Sequence, residues 1–387
     1  MTGVLLGIIY LTFISLGLPD ALLGAAWPVM CTEFDVPLSY AGMISIIISA
    51  GTIISSLMSD RMTRWLGTAK VTAFSVATTA VALFGFSVSG NYWMLLVWAI
   101  PYGLGAGSVD ASINNYVALH YASRHMSWLH CMWGVGASIG PQIMGYALTG
   151  GLSWNTGYRY IAVLQVALTA VLILSVPIWK KRDTDTSCET GPKGAALSLK
   201  QILDIRGAKE VFLAFFCYCA LENTAILWSG TYLVRCLGMD TETAAGFASL
   251  VLIGITTGRG VSGLLTYKFN DTNMIRIGQA VIMLGVVAMI LPLGHVCDMA
   301  GLLLVGLGCA PIYPCIIHST PDHFGAENSQ ALIGVQMASA YLGTLIAPPV
   351  FGLIADYVSA ALMPLYFGGI LVLMIVMCER LNFKTRK

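Results

Sequence analysis

The sequence is dominated by apolar runs that are long enough to cross a lipid bilayer. Val4–Ala26 is one such run, and Val281–Pro292 lies within another. A helix needs roughly 20 apolar residues to span the hydrocarbon region. Inside lipid every backbone polar group must be paired within the protein, so only helices and closed barrels can span it. The runs are continuous and lack the alternation of barrel strands, which predicts transmembrane helices.

The composition excludes a soluble protein. Hydrophobic residues make up 57% of the 387 residues, charged residues make up 10%, and the mean hydropathy is +0.78. Soluble domains carry about 25% charged residues. The net charge of +1 argues against a nucleic-acid partner. We expect no cofactor and no metal site, because most of the ten cysteines lie within apolar runs and are interpreted as small apolar side chains.

Breaks between the apolar runs divide the chain into twelve predicted helices. They lie near Gly3–Pro28, Ser39–Ser59, Lys70–Ser89, Trp93–Leu119, Met126–Gly150, Tyr158–Trp179, Val211–Arg235, Thr243–Tyr267, Met274–Leu293, Met299–His318, Ser329–Tyr357 and Ala360–Leu381. One long polar stretch follows the sixth helix. We therefore predict an N-terminal six-helix bundle at 1–180, a cytoplasmic linker at 181–209 and a C-terminal six-helix bundle at 210–387.

The basic residues predict the orientation of these helices in the membrane. The loops after the even-numbered helices, together with the C-terminal tail, hold seventeen Lys and Arg residues, whereas the opposite loops hold only Arg159 and Arg235. Cytoplasmic loops carry an excess of Lys and Arg. We therefore expect a multi-pass protein of the cell membrane with both termini in the cytoplasm.

The two halves of the sequence resemble each other. Gly136, Ile139, Pro141 and Gly145 recur 207 residues later as Gly343, Ile346, Pro348 and Gly352, in helices five and eleven. The triplet Gly-Leu-Gly at 103–105 recurs at 306–308, in helices four and ten. Parallel six-helix repeats are the architecture of major facilitator transporters, with the substrate site near the midplane. The sequence thus predicts an all-α membrane protein with twelve transmembrane helices in two pseudo-symmetric bundles.

The predicted loop between helices two and three carries a possible gating motif. Ser59–Gly67 reads S-D-R-M-T-R-W-L-G, which resembles the major facilitator signature G-x-x-x-D-R-x-G-R-R without its second basic pair. The alternative is ordinary positive charge on the cytoplasmic side. We interpret Asp60, Arg61 and Arg64 as gating residues, and we add Arg259, which lies within helix eight near the basic side.

Five ionisable residues fall inside the predicted helices. They are Asp20, Asp110, His130, Glu222 and Arg259. A charge at the centre of a membrane helix costs about 2.5–3.5 kcal/mol on insertion scales, so each one indicates a function by default. The alternative for Glu222 and Arg259 is a structural ion pair.

Four segments resemble the fucose:proton symporter family. Asp110–Val117 reads D-A-S-I-N-N-Y-V and resembles that family's helix-four pattern E-T-A-A-N-P-Y-V. Tyr218–Glu222 is similar to its Y-V-G-x-E in helix seven, Gly258 and Arg259 match its helix-eight Gly-Arg, and Ala347–Asp356 matches the end of its helix eleven. The helix-four acid is Asp where the family has Glu, and His130 stands where Gln is often found. Sodium-dependent glucose transporters are a related group that the sequence resembles equally well.

The resemblance implies a secondary active transporter in which a cation drives the uptake of a sugar by alternating access. A carboxylate shielded from water favours its neutral form and can carry a proton, so Asp20 and Asp110 are candidates for the coupling and substrate sites. The coupling ion is expected to be H⁺, with Na⁺ as the alternative. We expect a small-molecule substrate and a monomer in the lipid bilayer.

Polar and aromatic side chains complete the predicted substrate site. Asn114, Asn115, Gln142 and Gln336 offer hydrogen bonds to sugar hydroxyls, and Trp128, Trp133 and Trp228 can stack on a sugar ring. The alternatives are ordinary packing for the tryptophans and bonds between helices for the glutamines.

A drug:proton efflux antiporter is the main competing function, because it shares the fold and also uses intramembrane acids. A more apolar pocket is expected for it, whereas helix four carries a polar cluster at Asp110, Ser112, Asn114 and Asn115. A membrane metalloenzyme is disfavoured. His120, His125 and His130 are spaced by five residues, which rotates successive side chains by about 140° on a helix.

Overall fold

The computed structural model describes residues 2–185, 196–291 and 294–385. Within these ranges the chain is helical and contains no β-strand. It divides into two compact units, the first comprising Met1–Tyr116 and Leu129–Ala196, the second comprising Val117–Trp128 and Leu197–Lys387. The end of the fourth predicted helix and the beginning of the fifth therefore belong to the second unit.

Seven helices precede the linker region. They are α1 (Thr2–Gly17), α2 (Leu22–Glu33), α3 (Ala41–Leu66), α4 (Thr68–Ser87), α5 (Tyr92–His120), α6 (Ser123–Thr149) and α7 (Trp154–Asp185). Eight α-helices lie in the described residues after position 195, namely α8 (Leu199–Asp204), α9 (Ala208–Leu237), α10 (Thr241–Leu265), α11 (Asp271–Ile290), α12 (His295–His318), α13 (Thr320–Phe324), α14 (Ala326–Ile354) and α15 (Met363–Thr385).

Ten stretches of the described chain are long and apolar enough to cross a membrane. They contain eleven of the twelve predicted spans, because the last stretch, Ala326–Thr385, includes both α14 and α15. The remaining span corresponds to α6. Its first turns carry Arg124, His125 and His130, and these polar residues lower its hydropathy.

The first predicted span is divided in two, a feature that was not predicted from the sequence. α1 ends at Gly17 and α2 begins at Leu22. Pro19 lies in the break, where it lacks a backbone N–H and cannot continue the helical hydrogen bonding. Short turns pair the backbone across the break, from Asp20 N to Gly17 O at 3.2 Å and from Leu22 N to Pro19 O at 3.1 Å.

Two other predicted boundaries also differ. Asp60, Arg61 and Arg64 lie within the last two turns of α3 and not in a loop, and Gly67 (φ +80°) makes the short connection to α4. In the predicted linker 181–209, residues 181–185 continue α7 and residues 199–204 form α8. The central part of that linker, residues 186–195, lies outside the described residues.

Small and hydroxyl residues bring α3 and α5 into close contact. Thr52 Oγ1 donates to the Gly103 carbonyl at 3.2 Å, and Ser55 Oγ donates to the Leu104 carbonyl at 2.5 Å. A Cβ on Gly103 would collide with the Ile48 carbonyl of α3. Small residues are the usual means of close helix approach in membranes, where lipid removes the hydrophobic drive for association.

One pair of repeated glycines, Gly136 and Gly343, occupies equivalent contacts in the two units. A Cβ on Gly136 of α6 would collide with the Ile14 carbonyl of α1, and a Cβ on Gly343 of α14 would collide with the Phe216 carbonyl of α9. In each case the helix that carries the glycine lies against the first spanning helix of its own half. The recurrence of Gly136 as Gly343 therefore has a packing reason.

We predict that Gly136→Ala destabilises the protein by about 1–3 kcal/mol, because overpacking forces the backbone to shift. Gly145→Ala is the matched control, since Gly145 lies on the same helix and a Cβ added there would meet no heavy atom within 4 Å. Thermal unfolding in detergent, followed by tryptophan fluorescence, should show a lower midpoint for Gly136→Ala alone. Equal midpoints for the two variants would contradict the close approach of α1 and α6.

Candidate functional site

The break between α1 and α2 places the carboxylate of Asp20 between two aromatic donors. The indole Nε1–H of Trp133 on α6 donates to Asp20 Oδ2 at 2.8 Å. The hydroxyl of Tyr102 on α5 donates to Asp20 Oδ1 at 3.3 Å. Each carboxylate oxygen therefore has a donor from a different helix of the first unit.

The same carboxylate lines a cavity of about 390 Å³ within the first unit. Its wall is mainly apolar and aromatic, with Trp27, Phe86, Tyr102 and Tyr158 among the lining residues. Among the described residues that line the cavity, Asp20 alone is charged, and its side chain is exposed. The volume lies within the range of about 300–1,000 Å³ that is usual for small-molecule sites.

A stack of aromatic rings fixes the position of Tyr102. Phe86 lies edge-on to Tyr102 with ring centroids 6.4 Å apart, and Phe86 in turn stacks on Tyr158 at 5.3 Å. Tyr102 and Tyr158 are both buried. The ring of Tyr102 is thus held in place by packing, and the remaining freedom of the side chain is the rotation of its hydroxyl hydrogen.

A second polar centre in the first unit joins Asp110, Asn114 and His130. Asn114 Nδ2 donates to Asp110 Oδ1 at 2.8 Å, and Asn114 Oδ1 lies 3.0 Å from His130 Nε2. An amide oxygen only accepts hydrogen bonds, so the hydrogen of this bond belongs to His130 Nε2. The edge of the Phe13 ring covers the imidazole at 5.3 Å. All three polar residues are buried.

The two carboxylates form separate centres. Tyr102, which contacts Asp20, and Asp110 are eight residues apart on α5, which corresponds to about 12 Å along the helix axis. Asn115, the next residue after Asn114 in the chain, is also buried. Gln142 is exposed and makes no side-chain hydrogen bond within the described ranges, so the structure does not bring it to either carboxylate.

The predicted gating residues of the first unit form an ion pair within α3. Arg64 Nε donates to both oxygens of Asp60, at 2.9 and 3.0 Å, and the Asp60 side chain is buried. The neighbouring Arg61 is exposed. One turn of helix therefore contains both an enclosed acid, which is paired, and a basic residue that faces outward.

The second unit contains a buried ion pair between α9 and α10. Arg259 Nη2 lies 3.0 Å from Glu222 Oε1 and 3.4 Å from the hydroxyl of Tyr218. All three side chains are buried. Next to Glu222, Asn223 Nδ2 donates to Thr344 Oγ1 of α14 at 3.0 Å. The alternative of a structural ion pair for Glu222 and Arg259 thus agrees with the geometry.

The other predicted residues of the second unit make packing contacts. Trp228 Nε1 donates to the Pro348 carbonyl at 2.9 Å, and its ring packs edge-on against Phe351. Gln336 is fully buried and bonds the hydroxyl of Thr320 on α13 at 3.0 and 3.1 Å. Trp128 donates to the Gly260 carbonyl at 3.4 Å. These positions favour the packing alternatives for all three residues.

Tyr102 is the site residue that could not be found from the sequence. A tyrosine in an apolar helix has no distinctive pattern, and its partner Asp20 lies 82 residues away. Trp133 was predicted only to stack on a sugar. No local pattern indicates its bond to Asp20, because the two residues are 113 positions apart in the chain.

Among the described residues, nine cysteines are free. The described residues also contain no group of three or more His, Cys, Asp or Glu side chains that could hold a metal ion.

The family model of the Major Facilitator Superfamily matches residues 9–297. The chain therefore belongs to this superfamily. It is a multi-pass membrane transporter and not an enzyme, and the predicted all-α major facilitator fold is confirmed.

Individual relatives are distant but match over most of their length. An uncharacterized transporter of Sinorhizobium fredii, y4wD, is 24% identical over 348 residues, which cover 88% of this chain and 87% of the relative. The glucose/mannose transporter GlcP of Bacillus subtilis is 21% identical over 315 residues, 79% and 77% of the two chains. The crystal structure of the E. coli fucose:proton symporter FucP shares 17% identity with a TM-score of 0.72, covering 97% and 98%. At this identity the structural likeness shows the fold.

We predict that Arg259→Met destabilises the protein by about 3–5 kcal/mol, because it leaves the Glu222 carboxylate buried without its cation. The double variant Glu222→Gln with Arg259→Met should recover much of this loss, since neither charge is then left unpaired. Thermal unfolding in detergent provides the measurement.

The matched control is the exposed pair between Arg235 and Asp356, 3.1 Å apart, whose side chains are 54% and 60% exposed. Arg235→Met should cost less than about 1 kcal/mol. If Arg259→Met were no more destabilising than Arg235→Met, the buried pair would not be a structural element of the second unit.

Proposed function

We propose that the protein is a proton-coupled symporter of a sugar or a similar hydrophilic solute. The observation that carries the proposal is the Asp20 carboxylate, which lies at a helix break and lines an aromatic cavity of about 390 Å³. The proton is carried by Asp20. Sodium is the alternative coupling ion.

The chemistry of the cavity suits a monosaccharide. Aromatic side chains cover the apolar face of a sugar ring, while a few placed polar groups bind its hydroxyls. Trp27, Phe86 and Tyr158 provide the first kind of contact, and Asp20, Ser45 and Ser49 provide the second. Two similar proteins, a glucose/mannose transporter and a fucose:proton symporter, support the same solute class.

The second polar centre has a supporting role in this proposal. The chain of bonds from His130 through Asn114 to Asp110 is enclosed. We propose that the transport cycle requires the negative charge of Asp110 in this centre. Asp60, Arg61, Arg64 and Arg259 act as gating residues.

The proposal includes the arrangement inferred from the sequence. Residues 1–180 and 210–387 form two halves that give alternating access, joined by the linker at 181–209. Both termini lie in the cytoplasm, because the basic loops belong to that side. The protein works as a monomer and needs no cofactor other than the coupling ion.

A drug:proton antiporter is the second candidate, and one observation favours it. Most residues that line the cavity are apolar, including Leu23, Ile48 and Leu83. An amphipathic cation would gain from such a wall and from the Asp20 carboxylate. The two candidates differ in the direction of transport and in the polarity of the solute.

Transport into proteoliposomes distinguishes these candidates. Purified protein is reconstituted and offered labelled D-glucose, L-fucose or D-xylose under an imposed proton gradient, an imposed sodium gradient or neither. Proton-driven accumulation of a sugar supports the proposal. Sodium-driven accumulation would show that the coupling ion is Na⁺. Export of a fluorescent lipophilic cation with no sugar uptake would favour the antiporter.

We predict that Asp20→Asn abolishes concentrative uptake but retains equilibrative exchange. An amide cannot carry the proton, yet it keeps the size of the side chain and can still accept a hydrogen bond from Trp133. Counterflow and gradient-driven uptake are compared in the same vesicles. Asp35→Asn, in an exposed position with φ +51° that Asn tolerates, is the control and should transport normally. Accumulation by Asp20→Asn would exclude Asp20 as the proton carrier.

We predict that Asp110→Asn also abolishes gradient-driven uptake, while the protein still folds and inserts. The new amide oxygen can accept the bond from Asn114, so the second polar centre keeps its connections but loses its charge. Uptake, together with the elution volume of the detergent-solubilised protein, provides the measurement. Asp204→Asn, at the exposed end of α8, is the control. Wild-type accumulation by Asp110→Asn would show that this charge is not needed.

A further inference from the structure

We propose that the hydroxyl of Tyr102 couples the proton on Asp20 to the solute in the cavity, by changing from hydrogen-bond donor to acceptor when Asp20 is protonated. The inference rests on the proposed function, because it assigns a residue to the coupling step of that transport. Tyr102 acts here as a positioning residue for the proton and as a contact for the solute.

The first step concerns which oxygen of Asp20 can carry the proton. Trp133 Nε1 is a donor only, and it occupies Oδ2 at 2.8 Å. A proton on Oδ2 would have to use the other lone pair of that oxygen, and it would weaken Oδ2 as an acceptor for the indole N–H, which cannot reverse its bond. We therefore place the proton that comes from water on Oδ1, because its partner Tyr102 can both donate and accept.

The second step concerns the partner of that oxygen. The Tyr102 hydroxyl donates to Oδ1 when the carboxylate is charged. A phenol hydroxyl can both donate and accept, so it can accept the new O–H of a protonated Oδ1 without moving its ring. The contact between Tyr102 and Asp20 survives protonation with its direction reversed.

The third step concerns the hydrogen that Tyr102 no longer gives to Asp20. Tyr102 lines the cavity, and its ring is held by Phe86. Rotation about the C–O bond redirects the hydroxyl hydrogen, and an oxygen of a bound sugar is an acceptor for it. Protonation of Asp20 then strengthens solute binding, and by linkage solute binding strengthens proton binding by the same factor.

Few groups around Asp20 can take part in this change of hydrogen bonding. The titratable groups that face it are Tyr102 from α5 and Tyr158 from α7, while α6 supplies Trp133. The cavity wall from α3 and α4 consists of Ser45, Ser49 and apolar side chains, and no other charged side chain lines it within the described residues. His130, three residues before Trp133, bonds to Asn114 instead.

The test that needs no solute is infrared difference spectroscopy on protein with isotope-labelled tyrosine rings, recorded between high and low pH. The C–O stretch of a phenol differs between a donor and an acceptor, so a labelled tyrosine band should shift together with the carboxyl band of Asp20. Both signals should be absent in Asp20→Asn. In Tyr102→Phe the carboxyl band should persist without the tyrosine band.

Tyr92→Phe is the matched control. Tyr92 is also buried on α5, but its hydroxyl donates to the Tyr40 carbonyl at 3.0 Å and not to a carboxylate. This variant should keep both infrared signals. A carboxyl band of Asp20 that titrates without any tyrosine change in the wild type, or a tyrosine change that survives in Tyr102→Phe, would overturn the inference.

The second test measures the apparent affinity for whichever of D-glucose, L-fucose and D-xylose the wild type transports, at acid and at alkaline pH. A coupling through one hydrogen bond corresponds to roughly threefold to tenfold tighter binding at acid pH. Tyr102→Phe should reduce the ratio of the affinities at acid and alkaline pH to about one, and Tyr92→Phe should leave that ratio unchanged. A ratio that Tyr102→Phe leaves at the wild-type value would overturn the inference while the proposed transport stands.

Failure of the proposed function has a different signature. In that case none of the three sugars is taken up under a proton gradient. The infrared test uses no solute, so it still shows whether Tyr102 changes from donor to acceptor when Asp20 is protonated.

Discussion

A lipid bilayer offers no hydrogen-bond partners to a helix that stops inside it, and the packing of the first unit depends on how that problem is solved. α1 ends at Gly17, and short turns pair the backbone as far as Leu22. Gly136 and Gly140 of α6 have no side chains, which lets this helix approach the carbonyls of Ile14 and Leu18. Because α6 lies so close to the break, Trp133 reaches the carboxylate of Asp20.

The helical fold could be predicted from the sequence because length and hydropathy alone decide what crosses a bilayer. The division of the first span could not be predicted, because Pro19 and Asp20 lie in an otherwise apolar run and hardly change its average hydropathy. Asp60 and Arg64 were predicted to lie in a loop for the opposite reason. Their charges suggested an early end of the helix, but the pair neutralises itself within α3 at 2.9 Å, so the helix continues to Leu66.

Contacts within one helix could be predicted more readily than contacts between helices. Asp110 and Asn114 are four residues apart on α5, a spacing that places side chains on one face, and the sequence alone groups them. The bond between Tyr102 and Asp20 joins α5 to the break between α1 and α2, and no local pattern relates residues so far apart. Trp228 and Gln336 show the converse. Their polar atoms indicated a substrate site, but their bonds go to the Pro348 carbonyl and to Thr320 of neighbouring segments.

The surroundings of the two carboxylates favour different tasks for them. A proton on the lone pair of Asp110 Oδ1 that accepts from Asn114 Nδ2 would require the amide to turn over. Its oxygen would then leave His130 Nε2, which would have to give up its hydrogen in order to accept the amide N–H. At Asp20 the corresponding change is the rotation of one phenol hydrogen, and the carboxylate faces a cavity that water can enter. Proton exchange therefore requires less rearrangement at Asp20, whereas the chain from His130 to Asp110 is built to keep Oδ1 as an acceptor.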